Sequence, residues 1–387
     1  MLTPEEKRTI LGINFAVVSR MLGLFLLLPV LSPYVRGLEG STPLLTGLAV
    51  GIYGFTQALL QVPFGYLSDK LGRKPVITAG LLVYIGGSLL GAVAGSAWTM
   101  VGARLLQGAG AISSAALSLT ADLIRDEVRT RAFAQIGASV GITFAFSIAF
   151  APIIAGHLGV PFIFVLTAIL SLTALLYINF FITESKNHKK EIEPSLKNIN
   201  YVIKNPDLMN INASVFLLHS LLVSIFTVVP VELIETFGMA KRDHWKIYVP
   251  VILLSVALMV PSIILAEKRG RIKEVIYIGI ILITASFLSG LLVRDLVGIL
   301  LMLSLFFVGF HLLEPTLPSL LTKISHRDLR GLSVGVYNTS QFLGAFAGGL
   351  MGGIALKKGF TTLHLISFFV AILWLVLSFP LFKRLKT

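Results

Sequence analysis

His311 and Glu314 lie three residues apart inside an apolar run, LMLSLFFVGFHLLEPTLPSLL. That spacing puts both side chains on one face of a helix. A carboxyl group in such a run is neutral when dry and ionised when water or a cation reaches it, so it can load and release a proton. His219 sits midway along another apolar run, and imidazole changes charge close to neutral pH. Glu314, His219 and His311 are therefore candidate proton carriers. Pro315 and Pro318 follow the glutamate, and each removes a backbone donor, which could place a bend beside the carboxyl. The same residues also fit a blander reading. Glu314 would then be a permanently protonated structural group with His311 as its partner, and His219 an interhelical hydrogen bond. A metal pair is not expected, because His-x-x-Glu has no evident third ligand.

Two arginines, Arg20 and Arg104, also fall inside apolar runs. A guanidinium does not lose its charge, so deep in a membrane it must face a wet cavity or an acidic partner. The alternative is snorkelling, with the head reaching the interface. Arg104 could tune a proton site or anchor an anionic group. Tyr53, Gln57 and Gln61 recur every fourth residue and form a polar stripe on one helix face. Asn338 and Gln341 form a second stripe. Both stripes could line a substrate cavity or make hydrogen bonds between helices.

The element that must position these residues is a bilayer-spanning helix. Apolar residues make up 55% of the 387 residues, charged residues only 13%, and the mean hydropathy is +0.88. Soluble domains carry about 25% charged residues. A transmembrane helix needs about 20 mostly apolar residues. Twelve candidates are present, at roughly 9–34, 44–67, 75–96, 98–121, 132–157, 161–182, 209–237, 246–266, 274–293, 296–320, 331–356 and 361–382. The expected fold is an all-α polytopic membrane protein. One longer polar segment, 183–208, divides residues 1–182 from 209–387. Within it Leu196, Ile199, Val202 and Ile203 have helical spacing, which suits a short helix on the membrane surface.

The net charge of +13 is spread in short basic bunches between apolar runs, so no nucleic-acid partner is expected. With both termini cytoplasmic, only Arg36, Lys241, Arg242, Lys246, Arg294, Lys357 and Lys358 fall on the outer side. Apart from Arg20 and Arg104, all the rest of the 32 Lys and Arg fall on the inner side. The first apolar run is long enough to span and no small-residue cleavage site follows it, so the N-terminus is expected to be retained. There are no cysteines, which excludes disulfides and thiolate metal sites. GGLMGG at 348–353 lacks the Lys-Ser/Thr of a phosphate-binding loop and suits close helix packing instead. No catalytic motif of an intramembrane enzyme is present, and no cofactor is implied.

The halves repeat. Asp69, Lys70, Gly72 and Arg73, between spans two and three, align with Glu267, Lys268, Gly270 and Arg271, between spans eight and nine. The offset is close to half the chain, which points to two six-helix pseudo-repeats. His219 takes nearly the place in the second half that Arg20 takes in the first.

Gly65-Tyr66-Leu67-Ser68-Asp69-Lys70-Leu71-Gly72-Arg73-Lys74 resembles the signature G-x-L-x-D-R-x-G-R-K of the major facilitator superfamily, with Lys70 in place of the usual arginine. Arg104-Leu105-Leu106-Gln107-Gly108-Ala109-Gly110 resembles the R-x-x-Q-G-x-G motif of its proton-coupled members, and adds Gln107 to the candidate cavity residues. The chain as a whole is similar to the drug:proton antiporter group. In span five, Ala138, Ser147, Ala151-Pro152 and Ala155-Gly156 stand where that group usually has a glycine–proline run.

The resemblance implies a twelve-helix major facilitator fold. It also implies a conformational switch, in which Asp69 and Arg73 form a charge cluster with an acid at the cytoplasmic end of span four, here Asp122. Gly65, Gly72 and Lys74 belong to the same signature. The expected protein is a monomeric, proton-coupled secondary transporter of a bacterial inner membrane, not an enzyme. Its partners would be a small-molecule substrate, protons and the lipid bilayer. Efflux of amphiphilic, drug-like compounds is the first reading. A sugar or metabolite symporter of the same superfamily is the second, and a membrane sensor that binds ligand without carrying it is a third.

Overall fold

The computed structural model describes residues 2–185, 196–326 and 329–384, and these are almost wholly helical. The first seven helices are α1 (Pro4–Val35), α2 (Pro43–Leu71), α3 (Arg73–Ala92), α4 (Ala97–Ala109), α5 (Ser113–Leu123), α6 (Asp126–Leu158) and α7 (Val160–Phe181). A short helix, α8 (Leu196–Lys204), precedes α9 (Pro206–Glu235), α10 (Trp245–Arg269), α11 (Ile272–Leu292), α12 (Leu296–Ile324), α13 (Arg330–Lys358) and α14 (Thr361–Arg384). The chain forms two compact units. One is Met1–Glu191 with Ala240–Arg242; the other is Ile192–Met239 with Asp243–Thr387.

Helices are the form in which a chain satisfies its own backbone inside hydrocarbon. Polar residues at their starts supply what the apolar interiors cannot. Thr3 and Glu6 form a reciprocal capping box on α1, and Thr42, Ser96, Asn205 and Asp295 accept bonds from the first amides of α2, α4, α9 and α12. Among the described residues, eleven helices are long and apolar enough to cross a membrane. Their outward faces are apolar: Leu59, Ile142, Phe180, Leu253 and Phe369 are all well exposed. Meanwhile Arg20, Gln57, Arg104 and Gln107 are buried. Apolar outside and polar inside is the arrangement that lipid selects.

Span four departs from the sequence reading. The expected continuous helix over 98–121 is two helices, α4 and α5, with residues 110–112 outside both. The break follows from Gly108-Ala109-Gly110-Ala111, whose small side chains favour close packing over helix continuity. A Cβ on Gly110 would stand 2.6 Å from the carbonyl oxygen of Gly80 on α3. At the break, Ala111 and Ile112 donate to carbonyls only two residues back, at 2.9 Å each. A second adjustment lies at the signature loop. It is nearly all helix: α2 runs to Leu71, α3 starts at Arg73, and Gly72 alone turns the chain, at φ +98°.

Unit two rests on close packing of α9 against α13. Gly344 and Gly348 face the backbone of Phe216 and Ser220, and the Ser220 hydroxyl donates to the Gly344 carbonyl at 3.0 Å. The Trp374 indole of α14 donates to Ser214 Oγ of α9 at 3.0 Å. The helix suggested by Leu196, Ile199, Val202 and Ile203 is α8, with Val202 buried and Ile203 exposed.

Candidate functional site

In unit one the two deep arginines meet around one tyrosine. Arg20 on α1 donates from Nη2 to the Tyr53 hydroxyl at 3.2 Å and to Gln57 Oε1 at 2.8 Å, both on α2. Its Nη1 reaches Ser113 Oγ, the first residue of α5, at 3.4 Å. Arg104 on α4 stacks over the Tyr53 ring, 4.9 Å from its centroid, and donates to Gln107 Oε1 at 2.7 Å. Gln107 passes the bond on to Ser88 Oγ of α3 at 2.8 Å. Tyr84 closes the cluster, its ring 5.5 Å from the Arg20 guanidinium carbon. Gln61, one turn along α2, is buried, and its Oε1 has no hydrogen-bond partner among the described residues. Tyr53 and Gln57 of the polar stripe and the two arginines are thus one network, with Tyr53 shared between both cations.

In unit two the residues that can hold a proton converge from three helices. His219 on α9 hydrogen-bonds from Nδ1 to the Val215 carbonyl at 3.1 Å. Its Nε2 lies 2.8 Å from the Gln341 amide nitrogen on α13 and 3.7 Å from Glu314 Oε2 on α12. These bonds assign the proton of the neutral ring to Nδ1, leaving Nε2 to accept from Gln341. Protonation of Nε2 would turn that acceptor into a donor. The Gln341 NH2 cannot receive it, whereas the Glu314 carboxylate can. The three side chains therefore have two bonding patterns that differ by one proton. Glu314 is partly open, its side chain 38% exposed. Asn338 sits one turn before Gln341 and is half-buried.

His311 is one turn before Glu314 on α12. Its Nδ1 bonds the Phe307 carbonyl of its own helix at 3.0 Å, and its ring packs against Phe307 and Phe310. The imidazole beside the Glu314 carboxylate is that of His219, and the two form an ion pair when the ring is protonated. Helix α12 continues through Pro315 and Pro318. Their missing N–H groups leave the carbonyls of His311 and Glu314 without the usual helical donor.

The third cluster is at the α2–α3 junction. Arg73 is buried and pairs with Asp69 one turn earlier and with Asp122 at the end of α5, Nε to Oδ2 at 3.1 Å. Its Nη1 also donates to Ser68 Oγ at 2.7 Å. Gly65 packs against Ser114. Glu184, just beyond α7, was not singled out from sequence. Its carboxylate accepts the backbone N–H of Arg73 at 3.0 Å and of Lys74 at 2.9 Å, capping the positive end of α3. The Lys74 ammonium in turn donates to the Ile182 carbonyl. Sequence reading also passed over Glu6, which binds Arg125 from both carboxylate oxygens, at 2.8 and 3.1 Å. Thr3-x-x-Glu6 before an apolar run was a legible capping box; its reach to Arg125 was not.

Long apolar helices with charged networks buried inside two compact units define a polytopic membrane protein. The sequence profile of the Major Facilitator Superfamily matches residues 13–349, and the chain belongs to that family. It is 40% identical over 359 residues to the inner membrane transport protein YajR of Escherichia coli strain K12, covering 91% of this chain and 78% of that protein. A more distant relative is the multidrug resistance protein MdtH of Shigella flexneri, 23% identical, covering 89% of this chain and 86% of that one. Among solved structures, a bacterial homolog of the human lysosomal transporter Spinster, inward-facing and occupied, superposes with a TM-score of 0.77. It is 12% identical and covers 100% of this chain and 98% of that one.

Proposed function

We propose that this chain is a proton-coupled secondary transporter of a bacterial inner membrane that exports small amphiphilic compounds by alternating access. The observation that carries the reading is the His219–Glu314–Gln341 arrangement, with its two hydrogen-bonding patterns separated by one proton. A titratable pair whose bonding depends on protonation is a two-state element that a proton gradient can bias. The two six-helix bundles, 1–182 and 209–387, are joined by 183–208, and both termini face the cytoplasm. Asp69, Arg73 and Asp122, with Gly65, Gly72 and Lys74, form the conformational switch. The names of YajR and MdtH, an inner membrane transport protein and a multidrug resistance protein, agree with export of drug-like compounds. The protein acts as a monomer and has no enzymatic step.

The test uses proteoliposomes loaded with a pH-sensitive dye and a panel of amphiphilic drugs and sugars. Ligand-driven proton movement is expected with wild type and absent with Glu314→Gln. Its direction separates antiport from symport. Unchanged coupling in the variant removes Glu314 as the proton site.

A further inference from the structure

The unit-one cluster holds more positive charge than its own residues balance. Arg20 and Arg104 are 0% and 1% exposed, and both are permanently charged. A buried cation is costly unless a carboxylate stands beside it. The neighbours here are neutral: Tyr53, Gln57, Gln107 and Ser113, with the Tyr84 ring alongside. Every described Asp and Glu of this unit lies at a helix end or in a connector, from Glu6 and Asp69 to Asp122 and Glu184.

The unsatisfied groups point the same way. Arg20 Nε, Arg104 Nε and Gln57 Nε2 are buried donors without a hydrogen-bond partner among the described residues. The break in span four adds more donors. The first amides of a helix lack intrahelical acceptors and carry the positive end of its dipole, and α5, starting at Ser113, has no side-chain cap to take them. Arg20 is aimed at that start through Ser113 Oγ, and Ser113 is only half-buried where the arginines are closed off.

We propose that this cluster binds an anionic group of the transported compound, a carboxylate, sulfonate or phosphate. Arg20 makes the direct contact, the start of α5 supplies neutral donors, and Arg104, across Tyr53, is the second cation. This names the charge of the substrate and rests on the transporter reading above. An organic anion with an apolar body satisfies both the surplus donors and the surplus charge.

The test is equilibrium binding to the full chain in lipid nanodiscs, with empty discs as the blank and no ion gradient. The probes are matched triplets (carboxylate, carboxamide and methylammonium) on benzyl, naphthyl, biphenyl and decyl bodies. At least one carboxylate is expected to bind about tenfold more tightly than its amide and ammonium partners. Arg20→Gln is expected to remove that preference and Arg20→Lys to keep part of it. Should Arg20→Gln not fold, Gln57→Glu places a carboxylate on Arg20 within nearly the same volume and is expected to abolish the preference. Equal binding of acid and amide across all four bodies overturns the proposal, as does chloride binding with no discrimination within the triplets. Carboxylate preference without ligand-driven proton movement would instead overturn the coupling reading alone. Proton-coupled flux of the ammonium compounds without carboxylate preference would overturn the anion site alone.

Discussion

The two copies of the loop signature share an acid, a lysine, a glycine and an arginine at the same spacing, and have different structures. In unit one, Arg73 follows Gly72 and is buried against Asp69, Asp122 and Ser68, with Glu184 on its backbone. In unit two, Arg271 follows Gly270, but it pairs with Glu274 in the next turn at 3.0 Å, and the two side chains are 59% and 50% exposed. The residues that bury the first copy come from elsewhere in the chain. At the repeat offset, Asp122 falls on Leu320, a buried apolar residue. A local motif thus becomes a buried charge network only where distant helices supply the second acid.

The first long helices of the units differ in the same sense. Arg20 on α1 carries a fixed charge and His219 on α9 a removable one. Unit one holds charge permanently, in the arginine cluster and at the Arg73 junction. Unit two holds a carboxylate–imidazole contact, Glu314 with His219, and locks its helices sterically.

The sharpest way to break this comparison is Arg73→Ala. It leaves Asp122, whose side chain is 3% exposed, without its partner. The expected loss is about 3–5 kcal/mol of stability, read as a drop in the unfolding midpoint of the detergent-solubilised protein. Gly348→Val addresses the steric lock. Any Cβ there meets the Ser220 backbone on α9, and the expected cost is about 1–3 kcal/mol. A neutral result in the same melting assay would mean that α9 and α13 are free to part.

Gln341→Leu sharpens the view of unit two. Gln341 donates to Nε2 of the neutral His219 ring, and its removal takes that bond out of the His219–Glu314–Gln341 arrangement. Ligand-linked proton flux in the same proteoliposomes is expected to fall by up to about tenfold, the worth of one hydrogen bond; unchanged flux would mean that Gln341 plays no part in the arrangement. Arg271→Ala should do least, because exposed pairs contribute about 0–1 kcal/mol. A loss comparable to that of Arg73→Ala would make the two loop copies equivalent after all.

Part of the site is legible in the sequence. The polar stripe of Tyr53, Gln57 and Gln61 is a spacing of four on a helix, and its burial follows from a lipid surround. The acid at the end of span four was indicated by the family signature rather than by physics, and Arg73 does meet Asp122. Other features are not legible in spacing alone. The three-residue spacing of His311 and Glu314 puts both on one face of α12 but does not say which helix that face meets. Glu314 meets His219 of α9, and the His311 ring packs on Phe307 and Phe310 of its own helix. Glu184 is not legible in the sequence, because an acid in a polar connector looks like any other until the start of α3 is placed beside it.

The sequence by itself determined the membrane class, the spans, the repeat and the family. Each of these is written in composition, in local hydropathy or in a short motif, and the cost of moving a residue into lipid depends mainly on that residue. Tertiary structure alone decided the partners: Tyr53 shared between Arg20 and Arg104, Gln341 and Glu314 on one imidazole nitrogen, Glu184 on the start of α3, and the break in span four. Those depend on how each helix is rotated and how closely its backbone approaches the next. Rotation and approach are set by packing summed over whole helices, which no local stretch of sequence contains.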